Sequence, residues 1–403
     1  MTRQPARPLR VLFLNWRDTA NPEGGGSERY VETVAARLVA AGHQVTVFCA
    51  AHELAPPDEV RDGIRFVRRG SKLGVYPRAM WHLATYRSRN VDVVVDVQNG
   101  LPFFSRLVTR VPVVVLVHHV HREQWHVVYD RVRAAVGWFL ESKVSPWLYR
   151  RSQYVAVSQV TRHELVELGV DADRIAVVHN GTERPPETGL APAPDPVLCV
   201  LGRLVPHKRV EHALATLARV RVDHPSARLT VVGHGWWEAQ LRAEAVRLGV
   251  ADAVDFTGWV DETAKHEALA RSWVLLTPSL KEGWGLCIAE AAGHGVPSIA
   301  YRSAGGVAES VVDGATGLLV GDDEGLRGFI DATRRLVDDP ALRRQLGTAA
   351  RSRSAQYSWD TTAAAFLTVL RTAMAGRTRH DEDAVDGAAA GADVTQEGQA
   401  PAR

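Results

Sequence analysis

The stretch Ser279-Leu280-Lys281-Glu282-Gly283-Trp284-Gly285-Leu286-Cys287-Ile288-Ala289-Glu290-Ala291-Ala292-Gly293 decides how this chain reads. It follows an apolar run over 273–277 with the length and character of a buried strand. Gly283 and Gly285 permit a sharp turn with open backbone N–H groups. The spacing predicts a helix from about Leu286, whose first-turn donors suit an anion. Glu282 then stands in the loop, and Glu290 lies eight positions on, inside the helix. Acid near a helix N-terminus has a purely structural use, because it offsets the dipole. The same two carboxylates also suit a ligand that carries a phosphate and a set of sugar hydroxyls.

Around this stretch the pattern is strand, glycine loop, helix, repeated. Strands are predicted over 197–201, 228–232, 254–257, 273–277, 298–301 and 316–320. The loops after them hold Gly202-Arg203-Leu204-Val205-Pro206-His207-Lys208-Arg209, Gly233-His234-Gly235, Gly258-Trp259-Val260 and Gly305-Gly306. Helices are expected over 210–220, from about 307, and through most of the chain after 326.

The first half repeats the plan. Strands are predicted over 9–14, 44–49, 91–95, 113–117, 154–157 and 175–178. Asn21-Pro22-Glu23-Gly24-Gly25-Gly26-Ser27-Glu28 leads into a helix over 28–41, with Val31, Val34, Ala35 and Leu38 as its buried stripe and Gly42 as its stop. This glycine loop has neither a GxGxxG pattern nor a Walker lysine. Ser158 is placed to cap the helix that carries His163, Leu165 and Leu168. Asn180-Gly181 reads as a turn, and 185–196 as a linker rich in Pro and Ala. Near-continuous valine runs belong to parallel sheets covered on both faces. The fold class is therefore α/β: two Rossmann-like, doubly wound domains facing one another across a cleft, with ligands at the carboxyl ends of the strands. The expected division is a flexible N-terminus at 1–8, a first domain at 9–188, a second at 189–357, a helix at 358–375 returning to the first domain through Phe366, Leu367 and Leu370, and a disordered tail at 376–403.

Composition agrees with a soluble protein of two domains. The chain has 403 residues, 46% hydrophobic and 23% charged, with a net charge of +2. That charge gives no argument for a nucleic-acid partner. Cys49, Cys199 and Cys287 lack metal-ligand spacing and sit in or beside apolar runs, as small hydrophobes do in a reducing compartment. No signal-like segment follows the basic first ten residues. A cytoplasmic location is expected.

Arg203 offers a planar fork and Lys208 a mobile point charge, and together they suit a diphosphate. They also suit a merely solvated basic loop. No pair of Asp residues is spaced like a metal-dependent sugar-nucleotide site; Asp92 and Asp96 read as strand-end residues. The charge balance is thus expected from protein cations and helix termini, with no metal requirement. His118 directly follows a strand and suits a hydroxyl or phosphate oxygen. His118-His119-Val120-His121 invites a metal reading but lacks the helical zinc spacing and an obvious acidic partner, so His119 and His121 are read as structural. The segment 122–151 interleaves Trp125, Trp138, Phe139, Trp147 and Tyr149 with six basic residues. It reads first as a core helix whose Arg residues face water, and second as a membrane-interface or acceptor-binding segment.

Taken in order, these motifs resemble the retaining glycosyltransferase family 4 with its GT-B fold. The resemblance covers about 9–375 and rests on Gly24-Gly-Gly-Ser-Glu28, His179-Asn-Gly181, Gly202-Arg-Leu-Val-Pro-His-Lys208, Val231-Val-Gly-His-Gly235 and Glu282 spaced from Glu290 by seven residues. It implies a nucleotide-sugar-dependent hexosyltransferase that moves a sugar from a UDP- or GDP-linked donor to a hydroxyl acceptor without a cofactor. It implies that Arg203 and Lys208 grip the donor diphosphate and that Glu282 bonds the hydroxyls of the transferred sugar. Trp284, Gly285 and Leu286 would contact sugar and phosphate through their backbone, and Glu290 the ribose. Gly25 and Gly26 would line the phosphate side, His118 would stand near the anomeric carbon, and Gly233, Trp259 and Val260 would border the base. Two departures are Trp284, where phenylalanine is commoner, which puts a larger ring beside the sugar, and His207, which stands where many members carry an acid and so makes its loop more basic than usual.

The acceptor stays open between a lipid-linked or polysaccharide intermediate, reached by peripheral contact of 122–151 with the inner membrane face, and a small natural product or aminocyclitol. A sugar phosphorylase needs a pyridoxal phosphate lysine, for which neither Lys265 nor Lys281 has a strong claim. A nucleotide-sugar epimerase needs the same cleft without an acceptor. A non-catalytic module has no reason to keep Arg203, Lys208 and both glutamates.

Overall fold

A computed structural model describes residues 7–85 and 90–392. Residues 1–6 and 393–403, parts of the two termini expected to be flexible or disordered, lie outside the described residues. The first sheet is built from β1 (Arg10–Leu14), β2 (Gln44–Cys49), β3 (Asp58–Arg61), β4 (Ile64–Arg68), β5 (Val93–Gln98), β6 (Val113–Val117), β7 (Gln153–Ala156) and β8 (Ile175–Val177). Its order is β3-β4-β2-β1-β5-β6-β7-β8, and every pairing is parallel except β3 with β4. The second sheet is built from β9 (Val197–Leu201), β10 (Arg228–Val232), β11 (Val254–Gly258), β12 (Val274–Thr277), β13 (Ser298–Tyr301) and β14 (Gly317–Val320). Its order is β11-β10-β9-β12-β13-β14, all parallel. The second sheet, counted within its own half, runs third, second, first, fourth, fifth, sixth, and the first sheet runs the same way with a seventh strand added once its antiparallel edge strand β3 is set aside. This is the doubly wound order, and it opens a crevice beside the first strand where the chain reverses direction across the sheet. The two crevices lie beyond β1/β5 and β9/β12.

Burial explains the strands. Val93, Val94, Val95 and Val97 of β5 and all five residues of β6 are buried, because helices cover both faces. The last helix, Trp359–Ala392, packs on the first sheet through Trp359, Phe366 and Leu370, with Phe366 stacked on Phe13 at 5.9 Å between ring centroids. Each such side chain contributes about 1.5–3 kcal/mol when fully buried. This helix crosses from the second half of the sequence back to the first sheet.

Several expectations are corrected. The helix after the glycine loop starts at Gly26, two residues early, because Glu28 serves as its third residue and caps back on Gly25 N at 2.8 Å. The edge strand β3, its neighbour β4 and the helix Val75–Ala84 were not anticipated. Asn180-Gly181 is not a turn. Its glycine answers a close approach instead: a Cβ there would stand 2.3 Å from the backbone nitrogen of Trp359. Asp96 is not a strand-end residue but lies within β5, fully buried, and receives hydrogen bonds from Phe103 N at 2.9 Å, Ser105 Oγ at 2.6 Å and the Tyr149 hydroxyl at 2.5 Å. The last helix continues past Gly376 into the expected disordered tail, through an alanine-rich stretch without proline that favours helix.

Candidate active site

Loops from the carboxyl ends of both sheets meet at the cleft. Their approach leaves little room for a side chain at Gly25 and Gly26 and none at Gly283. A Cβ on Gly25 would lie 3.2 Å from Arg203 Nε, and one on Gly26 would lie 3.2 Å from Leu286 Cδ1. A Cβ on Gly283 would lie 2.3 Å from the His118 carbonyl oxygen. Gly285 adopts φ +88° and opens the helix Leu286–Gly293, whose first intrahelical bond runs from Ile288 N to the Gly285 carbonyl. The amides of Leu286 and Cys287 precede that bond and face the cleft end of the helix.

Lys208 and Glu282 come together here. Lys208 Nζ donates to Glu282 Oε1 at 2.5 Å, and Ser279 Oγ donates to the same oxygen at 2.7 Å. Burial works to raise the Glu282 carboxyl, but the charge and hydrogen bond of Lys208 outweigh it and leave the group below its ordinary range. Arg203 crosses to the first domain and donates to the Glu23 carbonyl at 3.3 Å. Burial, then the charge of Arg17, hold the Arg203 guanidinium below its ordinary value. His207 adds no positive charge of its own to this loop. Burial, then Lys208 and Arg203, push its ring down to about 3.

His118 is buried beside Gly283, its ring edge-on to Tyr30 at 5.2 Å. Its Nε2 has no protein partner. Burial takes its pKa down to about 4, with the charge of Glu28 opposing, so the ring is neutral at neutral pH. His119 Nε2 meets Gln124 at 3.2 Å, and His121 Nδ1 meets Glu141 at 3.1 Å. Glu141 is the acidic partner that the sequence did not make obvious; it also accepts from Trp125 Nε1 at 2.6 Å. Among the described residues no group of three His, Cys, Asp or Glu side chains is arranged to hold a metal ion.

Glu290 faces the cleft from the helix interior. It accepts from Lys265 Nζ at 2.7 Å and lies 3.5 Å from Arg29 Nη1 of the first domain. Arg29 also forks onto Glu262 at 2.7 and 3.0 Å, tying the two domains together. Gly233 and Gly258 bridge β10 to β11, and exposed Trp259 with Val260 lines the adjoining edge of the cleft. Trp284 lines the cleft as well. It is buried against His179 at 4.5 Å and Tyr357 at 5.0 Å, in the seam between the domains.

Two family models match the chain in succession: Glycosyltransferase Family 4 over residues 24–184 and Glycosyl transferases group 1 over residues 183–353. The chain belongs to glycosyltransferase family 4. It is 29% identical over 412 residues to a glycogen synthase of Mycobacterium tuberculosis, covering 91% of this chain and 96% of that one. It is 37% identical over 184 residues to the GDP-mannose-dependent alpha-(1-6)-phosphatidylinositol monomannoside mannosyltransferase of the same organism, covering 44% and 47%. Its fold matches sucrose-phosphate synthase from Thermosynechococcus elongatus with a TM-score of 0.76 at 21% identity, over 91% of this chain and 99% of that one. The protein is a glycosyltransferase that depends on a nucleotide-sugar donor.

In this glycosyltransferase the segment 122–151 differs from a simple core helix. Trp138 and Tyr149 pack inward, but helix Arg131–Phe139 turns Val132, Val136 and Phe139 to solvent. Val132 is 73% exposed. Val128, Val132 and Val136 line the same cleft as His118 and Lys208. The structure also places Arg17 in the cleft lining with the buried Glu28 behind it, and neither was given a role from the sequence. Glu28, three residues after a glycine N-cap, carries the capping-box spacing that could have marked it.

Proposed function

We propose that the glycosyltransferase moves a sugar from a UDP- or GDP-linked donor to a hydroxyl acceptor with retention of anomeric configuration. The observation that carries this reading is the Lys208–Glu282 pair, set with Arg203 at the opening of helix Leu286–Gly293. A diphosphate entering there draws Lys208 to itself and releases Glu282 to the hydroxyls of the sugar. As the nucleoside diphosphate departs, negative charge builds on its phosphates, and Arg203, Lys208 and the helix start stabilise it without a metal ion. The neutral His118 offers Nε2 to a hydroxyl near the anomeric carbon. A leaving-phosphate oxygen takes the proton of the acceptor hydroxyl on the same face of the sugar, which forms the new glycosidic bond as the old one breaks. Domain approach keeps water from the reacting carbon.

The acceptor in this reading carries an apolar chain. The stripe Val128, Val132 and Val136 continues the cleft outward, and Arg131 and Arg133 flank it, so a lipid-linked hydroxyl can lie with its head at His118 and its chain on the stripe. The mannosyltransferase relative, which acts on a phosphatidylinositol monomannoside, supports this choice. No described helix is long and apolar enough to cross a membrane. Contact from the cytoplasmic side is therefore proposed to be peripheral.

Calorimetry with a panel of nucleoside diphosphates in metal-free buffer tests the donor half. Binding of one base, weakened by Arg203→Ala and Lys208→Ala, supports the reading, and no binding to any of them by folded protein rejects it. NMR of the product anomer decides retention.

A further inference from the structure

Arg17 leaves β1 at the crevice and is almost wholly buried. Its guanidinium lies over the Trp16 ring at 4.4 Å, pairs with Glu23 at 3.0 Å, and stands 3.5 Å from Glu28 Oε1. Arg203, from the other domain, reaches the same place: it bonds the Glu23 carbonyl and lies against Gly25. Two guanidiniums from opposite domains thus converge on one short loop.

The carboxylate between them is Glu28. It is buried, and its Oε2 accepts from Gly25 N and Ser27 Oγ, each at 2.8 Å. Its Oε1 and the Arg17 Nε have no hydrogen-bond partner. Burial works to raise the Glu28 carboxyl, and the charges of Arg17 and Arg203 prevail, so it stays ionised. Glu28 Oε1 and Arg17 Nε face each other at 3.5 Å, so Glu28 holds Arg17 from behind, and the two like-charged guanidiniums that line the cleft mark a place suited to an anion.

We propose that Arg17 is a third cation of the donor diphosphate site, and that Glu28 is the positioning residue that aims Arg17 and Arg203 at it. The diphosphate then bridges the domains: Arg203 and Lys208 hold it from the second, Arg17 from the first. This inference rests on the nucleotide-sugar reading above.

The test uses the full chain and the nucleoside diphosphate that binds native protein most tightly. Arg17→Ala is expected to weaken that binding about tenfold to a hundredfold, as loss of a charged hydrogen bond does. Arg17→Lys should recover part of it, because the charge returns without the fork. Glu28→Gln keeps an oxygen for Gly25 N and removes the charge. It is expected to bind the diphosphate at least as tightly as native protein, while kcat falls about tenfold, because the cations are no longer held for the transition state. A merely structural Glu28 would not separate binding from turnover. If native protein binds no nucleoside diphosphate, the nucleotide-sugar reading falls and this inference with it. If native protein binds and Arg17→Ala binds equally well, only the Arg17 assignment is overturned. Unchanged kcat in Glu28→Gln overturns its positioning role. Should Glu28→Gln fail to fold, the two Arg17 variants decide the proposal.

Discussion

Lys208 Nζ and Glu282 Oε1 stand 2.5 Å apart, so the cation proposed for the diphosphate and the carboxylate proposed for the sugar hydroxyls are each other's partner before any ligand enters. A ligand has to open this pair. Glu282→Gln is therefore expected to bind free nucleoside diphosphate several-fold more tightly, because Lys208 no longer has to leave a charge. The same variant should lose about a hundredfold in kcat, as the loss of a transition-state contact does. Lys208→Ala should lose both binding and turnover. Calorimetry and initial rates on the two variants check this, and weaker diphosphate binding by Glu282→Gln would contradict it.

Glu290 has a different neighbourhood. Its partner Lys265 also donates to Glu262 at 2.8 Å, and Arg29 forks onto Glu262. Removal of Glu290 therefore leaves no cation stranded. Glu290→Ala is expected to keep the native Tm within a few degrees and to raise the donor KM about tenfold, with kcat changed little, as loss of a ribose contact requires. An unchanged donor KM removes Glu290 from that role.

The exposed stripe makes a separate expectation about the acceptor. Val132 and Val136 are largely exposed, so Val132→Ser with Val136→Ser should change Tm little. Each valine covered by an apolar chain contributes on the order of 1 kcal/mol or more. Transfer to a long-chain alkyl acceptor should fall about tenfold in kcat/KM, while transfer to a short-chain acceptor should stay as it is. Equal rates on the long chain would mean that the stripe carries no acceptor.

Burial holds several histidines neutral, among them His118, taken down to about 4, His207 to about 3 and His294 to about 4, against an ordinary value of 6.5. Their effect on stability follows from proton uptake. Below about pH 6.5 the unfolded chain binds protons that the folded chain refuses, so this stability is fully present above about pH 6.5 and is lost as pH falls from there to about pH 3. Thermal unfolding across that range should show the decline, and His118→Asn should make it shallower. A flat profile would mean that these rings take up protons without unfolding. Transfer rates should show no His118 inflection near pH 6.5.

The strands that sequence reading located best are those whose burial on both faces demands unbroken valine and leucine, as in β5 and β6. β3 reads Asp58-Glu59-Val60-Arg61, an edge strand with no apolar run, and β4 carries Arg68, buried because Asp18 and Glu59 neutralise it. No local pattern announces such a pairing. The same limit applied at the site. The spacing of Glu282 and Glu290 was legible because both lie on one turn and helix. Their partners were not, since Lys208 is 74 positions from Glu282 and Lys265 is 25 from Glu290. The neighbours of Trp284 were hidden for a related reason: His179 belongs to the other domain, and only the fold brings that ring to the seam.

The seam itself yields the sharpest expectation. Three glycines face the opposite domain, but they meet different atoms. A Cβ on Gly26 meets the tip of the Leu286 side chain at 3.2 Å, which a small rotation can relieve. A Cβ on Gly283 meets the His118 carbonyl oxygen at 2.3 Å, and that oxygen is backbone, fixed by β6 on one side and by the Thr161 hydroxyl at 3.1 Å on the other. Relief there requires the domains to part. Each sheet has its own core, so both variants should fold. A displacement of about 1 Å between Glu282 and His118 is enough to cost on the order of a hundredfold in rate. Gly283→Ala is therefore expected to lose at least that much transfer, with the nucleoside diphosphate still bound by the second domain, while Gly26→Ala loses about tenfold or less. Initial rates with calorimetry on both variants settle the order, and the reverse order would show that the two domains do not react the sugar at this seam.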